Sequence, residues 1–145
     1  MKILAVDHGL AHIGLAVSDP EGIVARPLPE CRHVSRQLDA VMVASTAEKE
    51  GASIILLGAP TDSAGLPGNA ARRVRRFGAA LQKRTVLPVK YWDESHTSIR
   101  AAEFVRSKSS RKHTTSNITH SIAAAFILQD FLDAHAPEKD PTHEA

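Results

Sequence analysis

Three acidic residues follow two apolar runs of this sequence, and carboxylates in such places can hold a metal ion. Asp7 comes directly after the apolar residues 3–6, and Asp93 and Glu94 come directly after a second run, residues 87–92. In open α/β sheets, ligand sites form beyond the carboxyl ends of the strands. If both runs are strands of one sheet, these carboxylates can converge on a hard cation such as Mg²⁺ or Mn²⁺. The alternative is that each acid only caps a turn or the start of the next helix.

His120 is a fourth candidate ligand, at the start of an apolar helical segment. At helical spacing it shares a side with Ala124, Ile127 and Phe131, so we expect its ring to point at the sheet. The helix dipole favours a neutral imidazole in the first turn, and neutral imidazole is the form that binds metal. The alternative is a core histidine bonded to a backbone carbonyl. The other histidines lack the spacing of known zinc motifs, so we expect no structural zinc site.

Two stretches carry several cations and no acid, although the net charge of the chain is only +2. From these stretches we select seven candidate nucleic-acid-binding residues: Arg72, Arg73, Arg75 and Arg76 in residues 67–84, and Lys108, Arg111 and Lys112 in residues 104–129. Localised basic patches on a near-neutral protein indicate an anionic partner, of which nucleic acid is the commonest. The alternative is a solvated face, and at helical spacing the four arginines cannot all face one way.

Hydrophobic patterning predicts the scaffold that must position these residues, an α/β domain with a mixed sheet. The predicted order is strands at 3–6, 13–17 and 23–28, a helix at 35–50, a strand at 53–57, a helix at 69–82, a strand at 87–92, and helices at 95–106 and 118–134. The first three strands are short and consecutive, which is typical of an antiparallel meander. Gly14, inside the second strand, would allow another part of the backbone to approach closely.

The buried faces of the helices are also predicted from spacing. The helix at 35–50 is expected to bury Leu38, Val41, Met42 and Ala47, and the helix at 69–82 to bury Val74, Phe77 and Leu81. The last helix is apolar almost all round, which predicts deep burial. The runs at 3–6 and 87–92 are expected to be strands buried on both faces.

The composition indicates one domain with an aliphatic core. The chain has 145 residues, of which 43% are hydrophobic and only 4% aromatic. We expect a domain over residues 1–135 and a polar, disordered tail over 136–145. Cys31 is the single cysteine, so no internal disulfide can form. With no apolar run near the ~20 residues that span a bilayer and no signal peptide, we expect no membrane partner and a cytoplasmic location.

Six segments of the chain, in order, resemble the YqgF/RuvX family. They are LAVDHGLAHIGLAVSD at 4–19, ARPLP at 25–29, IILLGAP at 54–60, ARRVRRF at 71–77, WDESHT at 92–97 and HSIAAAFILQ at 120–129. Each segment alone is a weak signal, whereas six in the right order and spacing are specific. The resemblance extends from about residue 2 to residue 133.

The resemblance implies an RNase H-like fold, with a five-stranded mixed sheet flanked by helices, and a metal-dependent nuclease that matures the 5′ end of precursor 16S ribosomal RNA. The catalytic acids of the family fall on Asp7, as the bridging ligand, and on Glu94, and the third position falls on His120. Asp93 is kept as a further metal ligand. His120 stands where the family has aspartate and Ser95 where it has arginine. Because imidazole replaces a hard oxygen ligand, we expect Mn²⁺ to be favoured over Mg²⁺.

Three other functions are compatible with parts of this pattern. One is a DNA endonuclease like the Holliday junction resolvases, acting on branched DNA. Another is a catalytically weak nucleic-acid-binding module, because His120 interrupts the acidic set. An ATP-binding protein like actin or hexokinase would share the Asp-x-Gly turn, but the chain is too short for a second lobe and has no GxxxxGKS loop.

Overall fold

The computed structural model describes residues 1–60, 68–93 and 119–135. The elements within these residues are β1 (Ile3–His8), β2 (His12–Ser18), β3 (Ala25–Arg32), α1 (Arg36–Glu50), β4 (Ile54–Ala59), α2 (Asn69–Gln82), β5 (Val89–Asp93) and α3 (Thr119–Ala134). Each corresponds to a predicted element. The predicted helix at 95–106 and the tail at 136–145 lie outside the described residues. In the part that is described, no helix has the length and apolar character needed to cross a membrane.

The strands form one five-stranded mixed sheet in the order β3-β2-β1-β4-β5, which confirms the predicted architecture. β1, β2 and β3 pair in antiparallel fashion, as the meander predicted. β4 pairs with both β1 and β5 in parallel. The carboxyl ends of β1, β4 and β5 therefore meet at one edge of the sheet, where ligand sites of α/β proteins form.

Helices cover both faces of this sheet and divide the core in two. Leu4 and Val6 of β1 pack in the cluster that includes Phe77 of α2, on the face of α1 and α2. Ile3 and Ala5 pack in the other cluster, with residues of α3 such as Leu128. β1 is thus buried on both faces, as its consecutive apolar residues predicted.

The predicted buried face of α1 is wrong in part. Leu38 is 58% exposed and Val41 is 43% exposed, whereas the residues that α1 buries are Asp39, Ala40, Val43 and Ala47. Two hydrogen bonds at the start of α1 explain why its buried face differs from the predicted one. The Ser35 side chain accepts a hydrogen bond from Leu38 N at 3.1 Å, and the Asp39 carboxylate accepts one from Val34 N at 3.0 Å. These hydrogen bonds turn position 39 toward the sheet. The small residues that follow it at helical spacing then pack in the core on this face.

The two edge strands differ most from their predictions. The strand predicted at 23–28 is instead Ala25–Arg32, and Ile23 and Val24 are 59% and 57% exposed. Pro27 and Pro29 lie inside β3 because an edge strand can leave one side of its backbone unpaired. The run at 87–92 was expected to be buried on both faces, but β5 is a partly exposed strand that pairs with β4 alone among the described strands.

Candidate active site

Asp7 and His120 meet at the carboxyl edge of the sheet, although they are far apart in sequence. Nδ1 of His120 lies 3.2 Å from Oδ2 of Asp7. The side chains are 37% and 18% exposed, respectively, so the pair is reached by solvent but is partly enclosed by protein. The prediction that the His120 ring points at the sheet is confirmed. The structure therefore brings together two of the four candidate metal ligands.

The close approach of α3 to β2 makes this pairing possible. A Cβ atom at Gly14 would lie 2.0 Å from the backbone carbonyl carbon of His120, so only glycine fits there. Next to this contact, Leu15 N donates a hydrogen bond of 3.1 Å to the hydroxyl of the buried Ser121. The first turn of α3 is thus held directly against β2, and the ring of His120 reaches across to β1. The close approach that Gly14 predicted is confirmed.

An open cleft of about 440 Å³ lies beside this pair. Asp7 and His120 line it together with His8, the Gly9–Ala11 turn, Gly58, Pro60 and the first turns of α2. Arg73 is the cation of α2 that lines it, and one of its terminal nitrogens, Nη2, lies 3.5 Å from the carbonyl oxygen of His8. Its Nε is buried and has no hydrogen-bond partner within the described residues. The anion-binding capacity of Arg73 therefore rests on the terminal nitrogens of its guanidinium, not on the buried Nε.

The four arginines of α2 do not share one role. Arg73 lines the cleft, whereas Arg72 is exposed and donates a 3.3 Å hydrogen bond to the Asn69 side chain. Arg75 lies over the ring of Tyr91, with its guanidinium carbon 4.9 Å from the ring centre. Arg76 is exposed to solvent. The expectation that they cannot all face one way is confirmed.

Asp93 ends β5 at the same edge of the sheet but two strands away from Asp7. It pairs with Ala59, whose side chain packs on the face of α1 and α2, whereas Asp7 contacts α3 on the other face. The side chain of Asp93 is exposed. Four further candidates lie outside the described residues: Glu94, Lys108, Arg111 and Lys112.

Glu30 is a site residue that the sequence did not reveal. Its side chain is only 4% exposed, and its Oε2 accepts a 3.1 Å hydrogen bond from the backbone N of His120. The other oxygen, Oε1, lies 4.0 Å from Nδ1 of His12, whose ring stacks near that of His120. Glu30 therefore satisfies an unpaired N–H in the first turn of α3 from a separate strand. The sequence offered no signal for this contact, because Glu30 lies beyond the strand predicted at 23–28 and within β3 only in the structure.

A second polar cluster lies on the opposite face of the sheet. His8, which directly follows Asp7, points toward α1, where its Nε2 lies 3.4 Å from Oδ2 of Asp39. Burial lowers the pKa of His8 below its usual value, against the opposing effect of the nearby carboxylate. Burial acts to raise the pKa of Asp39, but hydrogen bonds from Val34 N, His33 and His8 outweigh it, so that pKa is lowered. Asp39 is therefore a buried, ionised carboxylate.

A family model and several named proteins match nearly the whole length of this chain. The family model of RuvX, described as Holliday junction resolvase, matches residues 1–134. A protein of Koribacter versatilis named "Putative pre-16S rRNA nuclease" is 32% identical over 139 residues, covering 96% of this chain and 91% of its own. A protein of the same name from Paramagnetospirillum magneticum is 34% identical over 133 residues, covering 91% and 85%.

Solved structures of resolvases share the fold at low sequence identity. Thermus thermophilus RuvC superimposes with a TM-score of 0.56 at 14% identity, covering 92% of this chain and 95% of its own. The Fowlpox virus resolvase in complex with Holliday junction DNA gives a TM-score of 0.56 at 10% identity, covering 94% and 100%. These similarities confirm the RNase H-like fold.

Proposed function

Because this chain belongs to the RuvX family, we propose that it is a metal-dependent nuclease that hydrolyses phosphodiester bonds in precursor 16S ribosomal RNA in the cytoplasm. The observation that carries the proposal is the pairing of Asp7 with His120 in an open cleft that Arg73 also lines. In one cleft, the carboxylate and the imidazole can bind a metal ion while the guanidinium binds a phosphate.

The residues present fit a divalent cation. The ligand atoms of Asp7 and His120 are 3.2 Å apart, and neighbouring ligands around an ion at about 2.1 Å from each are roughly 3 Å apart. Asp7 and His120 would hold the ion, and the family resemblance adds Glu94 to this set. Asp93, the proposed further ligand, directly precedes Glu94 in the chain. When bound, the ion would stabilise charge on the phosphate and make a water molecule more acidic.

The residues of the chain itself orient the reacting groups. The His120 ring fixes the direction of the Asp7 carboxylate, and Glu30 fixes the first turn of α3 that carries the ring. Arg73 would bind a phosphate oxygen through charge-assisted hydrogen bonds from the terminal nitrogens of its guanidinium, because it lines the cleft. The exposed Arg72 and Arg76, together with Lys108, Arg111 and Lys112, would bind backbone phosphates further from the cleavage point.

Incubation of the purified protein with a precursor 16S ribosomal RNA transcript tests this function. A four-way DNA junction is the parallel substrate, because the family model is described as Holliday junction resolvase. We expect defined cleavage of the RNA in the presence of Mn²⁺ or Mg²⁺ and none with a chelator. Cleavage of the junction alone would assign the protein to branched DNA, and binding of both without cleavage would make it a nucleic-acid-binding module.

Arg73 provides a prediction with a matched control on the same helix. Arg73→Gln should lower both the cleavage rate and the affinity for RNA, because it removes the cation that lines the cleft. The slope of log affinity against log salt should fall by about 0.7 for a lost contact to single-stranded RNA. Arg76→Gln, at an exposed position, should leave the cleavage rate of bound RNA close to wild type. Equal losses of rate in the two variants would show that the cleft is not where the phosphate binds.

His120 provides a prediction about the choice of metal. Mn²⁺ accepts imidazole more readily than Mg²⁺, which prefers oxygen ligands, so the wild-type protein should cleave faster with Mn²⁺. His120→Asp restores a hard oxygen ligand and should shift the ratio of the two rates toward Mg²⁺. The measurement is a titration of cleavage with each ion. His135→Asp, at the exposed end of α3, is the control and should leave the ratio unchanged. An unchanged ratio in His120→Asp would place His120 outside the metal site.

A further inference from the structure

His8, His33 and Asp39 form a cluster of ligand-type side chains on the face of the sheet opposite the Asp7–His120 pair, and His8 lies at the margin of the cleft. Nε2 of His8 and Nδ1 of His33 both contact the same oxygen of Asp39, Oδ2, the first at 3.4 Å. One ligand atom from each residue lies within 4.8 Å of the other two. The residues come from three places: the end of β1, the segment after β3, and α1.

The protein around the cluster holds it rigidly on its inner side. The His8 and Asp39 side chains are 4% and 2% exposed. The His8 ring stacks on Phe77 with the ring centres 4.2 Å apart. The other ring nitrogen of His8, Nδ1, is buried and has no hydrogen-bond partner among the described residues. The polar side-chain contact of His8 is therefore the one that Nε2 makes with Asp39. The second oxygen of Asp39 accepts a hydrogen bond from Val34 N, which fixes the plane of the carboxylate.

The outer side of the cluster is accessible. The His33 side chain is 34% exposed, so an ion can enter there and keep a water molecule as a further ligand. A buried carboxylate also needs charge compensation. Among the described residues, the side chains that contact Asp39 are two imidazoles, and no lysine or arginine hydrogen-bonds it. A divalent cation between the three side chains would supply that compensation.

We propose that His8, His33 and Asp39 bind a transition-metal ion of the Zn²⁺ class, at a set of ligands distinct from Asp7 and His120. Two imidazoles and one carboxylate are a ligand set that suits Zn²⁺ and its neighbours and disfavours Mg²⁺. Such an ion would tie α1 and the segment after β3 to the end of β1, next to Asp7. The site is independent of whether the protein cleaves RNA.

Calorimetric titration of metal-free protein with Zn²⁺ alone tests the proposal. The Asp7→Asn protein is the starting point, because it weakens metal binding at the proposed nuclease centre. We expect it to bind Zn²⁺ and to melt at a higher temperature when Zn²⁺ is added. Mg²⁺ should neither compete nor raise the melting temperature. Adding His33→Gln, at a partly exposed position, should weaken Zn²⁺ binding by about 100-fold or more, the upper end of the loss from a supporting residue.

Two further variants complete the experiment. Asp39→Asn in the Asp7→Asn background should cause a similar loss, and the amide oxygen can still accept the bond from Val34 N. His135→Gln removes an exposed histidine elsewhere and should leave Zn²⁺ binding unchanged. Circular dichroism of each variant confirms that it is folded. If the Asp7→Asn protein binds no Zn²⁺, or binds it equally well with His33→Gln, the cluster is only a hydrogen-bond network and the proposal is overturned.

Discussion

Asp7→Asn should abolish metal-dependent cleavage while leaving the protein folded. Asparagine keeps the size of the side chain but removes the charge that holds a cation. A metal ion contributes several kcal/mol to the transition state, and about 1.4 kcal/mol corresponds to tenfold in rate, so we expect a loss of at least about a thousandfold. The Oδ1 atom of asparagine can still accept a hydrogen bond from the His120 ring, which lies 3.2 Å from Asp7 Oδ2 in the wild type. We therefore expect the free energy of unfolding to change by less than about 1 kcal/mol.

The control for this variant is Asp133→Asn, at an exposed position near the end of α3. Purified in the same way, it should cleave at the wild-type rate, and the loss of activity confined to Asp7→Asn then excludes a contaminating nuclease as the source of cleavage. Urea unfolding of both variants measures their stability. Wild-type turnover by the Asp7→Asn protein would falsify the assignment of Asp7 as an essential ligand.

Gly14→Ala should destabilise the protein and impair cleavage at the same time. The added Cβ would lie 2.0 Å from the carbonyl carbon and oxygen of His120 and 2.5 Å from the backbone N of Ser121. These are backbone atoms, so the first turn of α3 must move away from β2 instead of a side chain rotating aside. Overpacking of this kind costs about 1–3 kcal/mol, occasionally more. The same movement carries His120 away from Asp7 and should slow cleavage.

Gly68→Ala is the matched control, because no atom lies within 4 Å of the added Cβ there. Glycine is the N-cap of α2 and is preferred to alanine at that position, so a cost of up to about 1 kcal/mol is expected. Thermal unfolding and cleavage assays on both variants give the comparison. A Gly14→Ala protein as stable and active as Gly68→Ala would show that α3 does not press on β2 in solution.

The sequence predicted elements best where one physical signal dominated. α2 begins and ends where predicted, and Val74, Phe77 and Leu81 are buried as its apolar stripe required. β1 needed only its consecutive apolar residues. The buried face of α1 could not be predicted from apolar spacing, because two polar side chains, Ser35 and Asp39, orient its first turn. Asp39 is buried in preference to Leu38 because His8 and His33 form hydrogen bonds with its carboxylate. The periodic pattern of apolar residues within α1 carries no information about these partners.

The candidate site was predicted from residue type and from position at the ends of elements. Asp7 was selected because it comes directly after the apolar residues of a buried strand, and His120 because it lies in the first turn of an apolar helix. Arg73 was one of four equivalent arginines in the sequence, and its place in the cleft is decided by the packing of α2 against the sheet. Glu30 was not identified, since its contact with the His120 backbone joins residues 90 apart in the chain.

The sequence by itself thus determined the family, the order of the strands and helices along the chain, and the ionisable groups at the carboxyl edge of the sheet. These depend on residue type and on short-range periodicity, which are properties of neighbouring residues. Only the tertiary structure decided which face each group occupies: Asp7 with His120 on one side, and His8 with Asp39 on the other. Asp7 and His8 are adjacent in sequence and lie on opposite faces because side chains alternate along a strand, and the helix packed on each face determines their different partners.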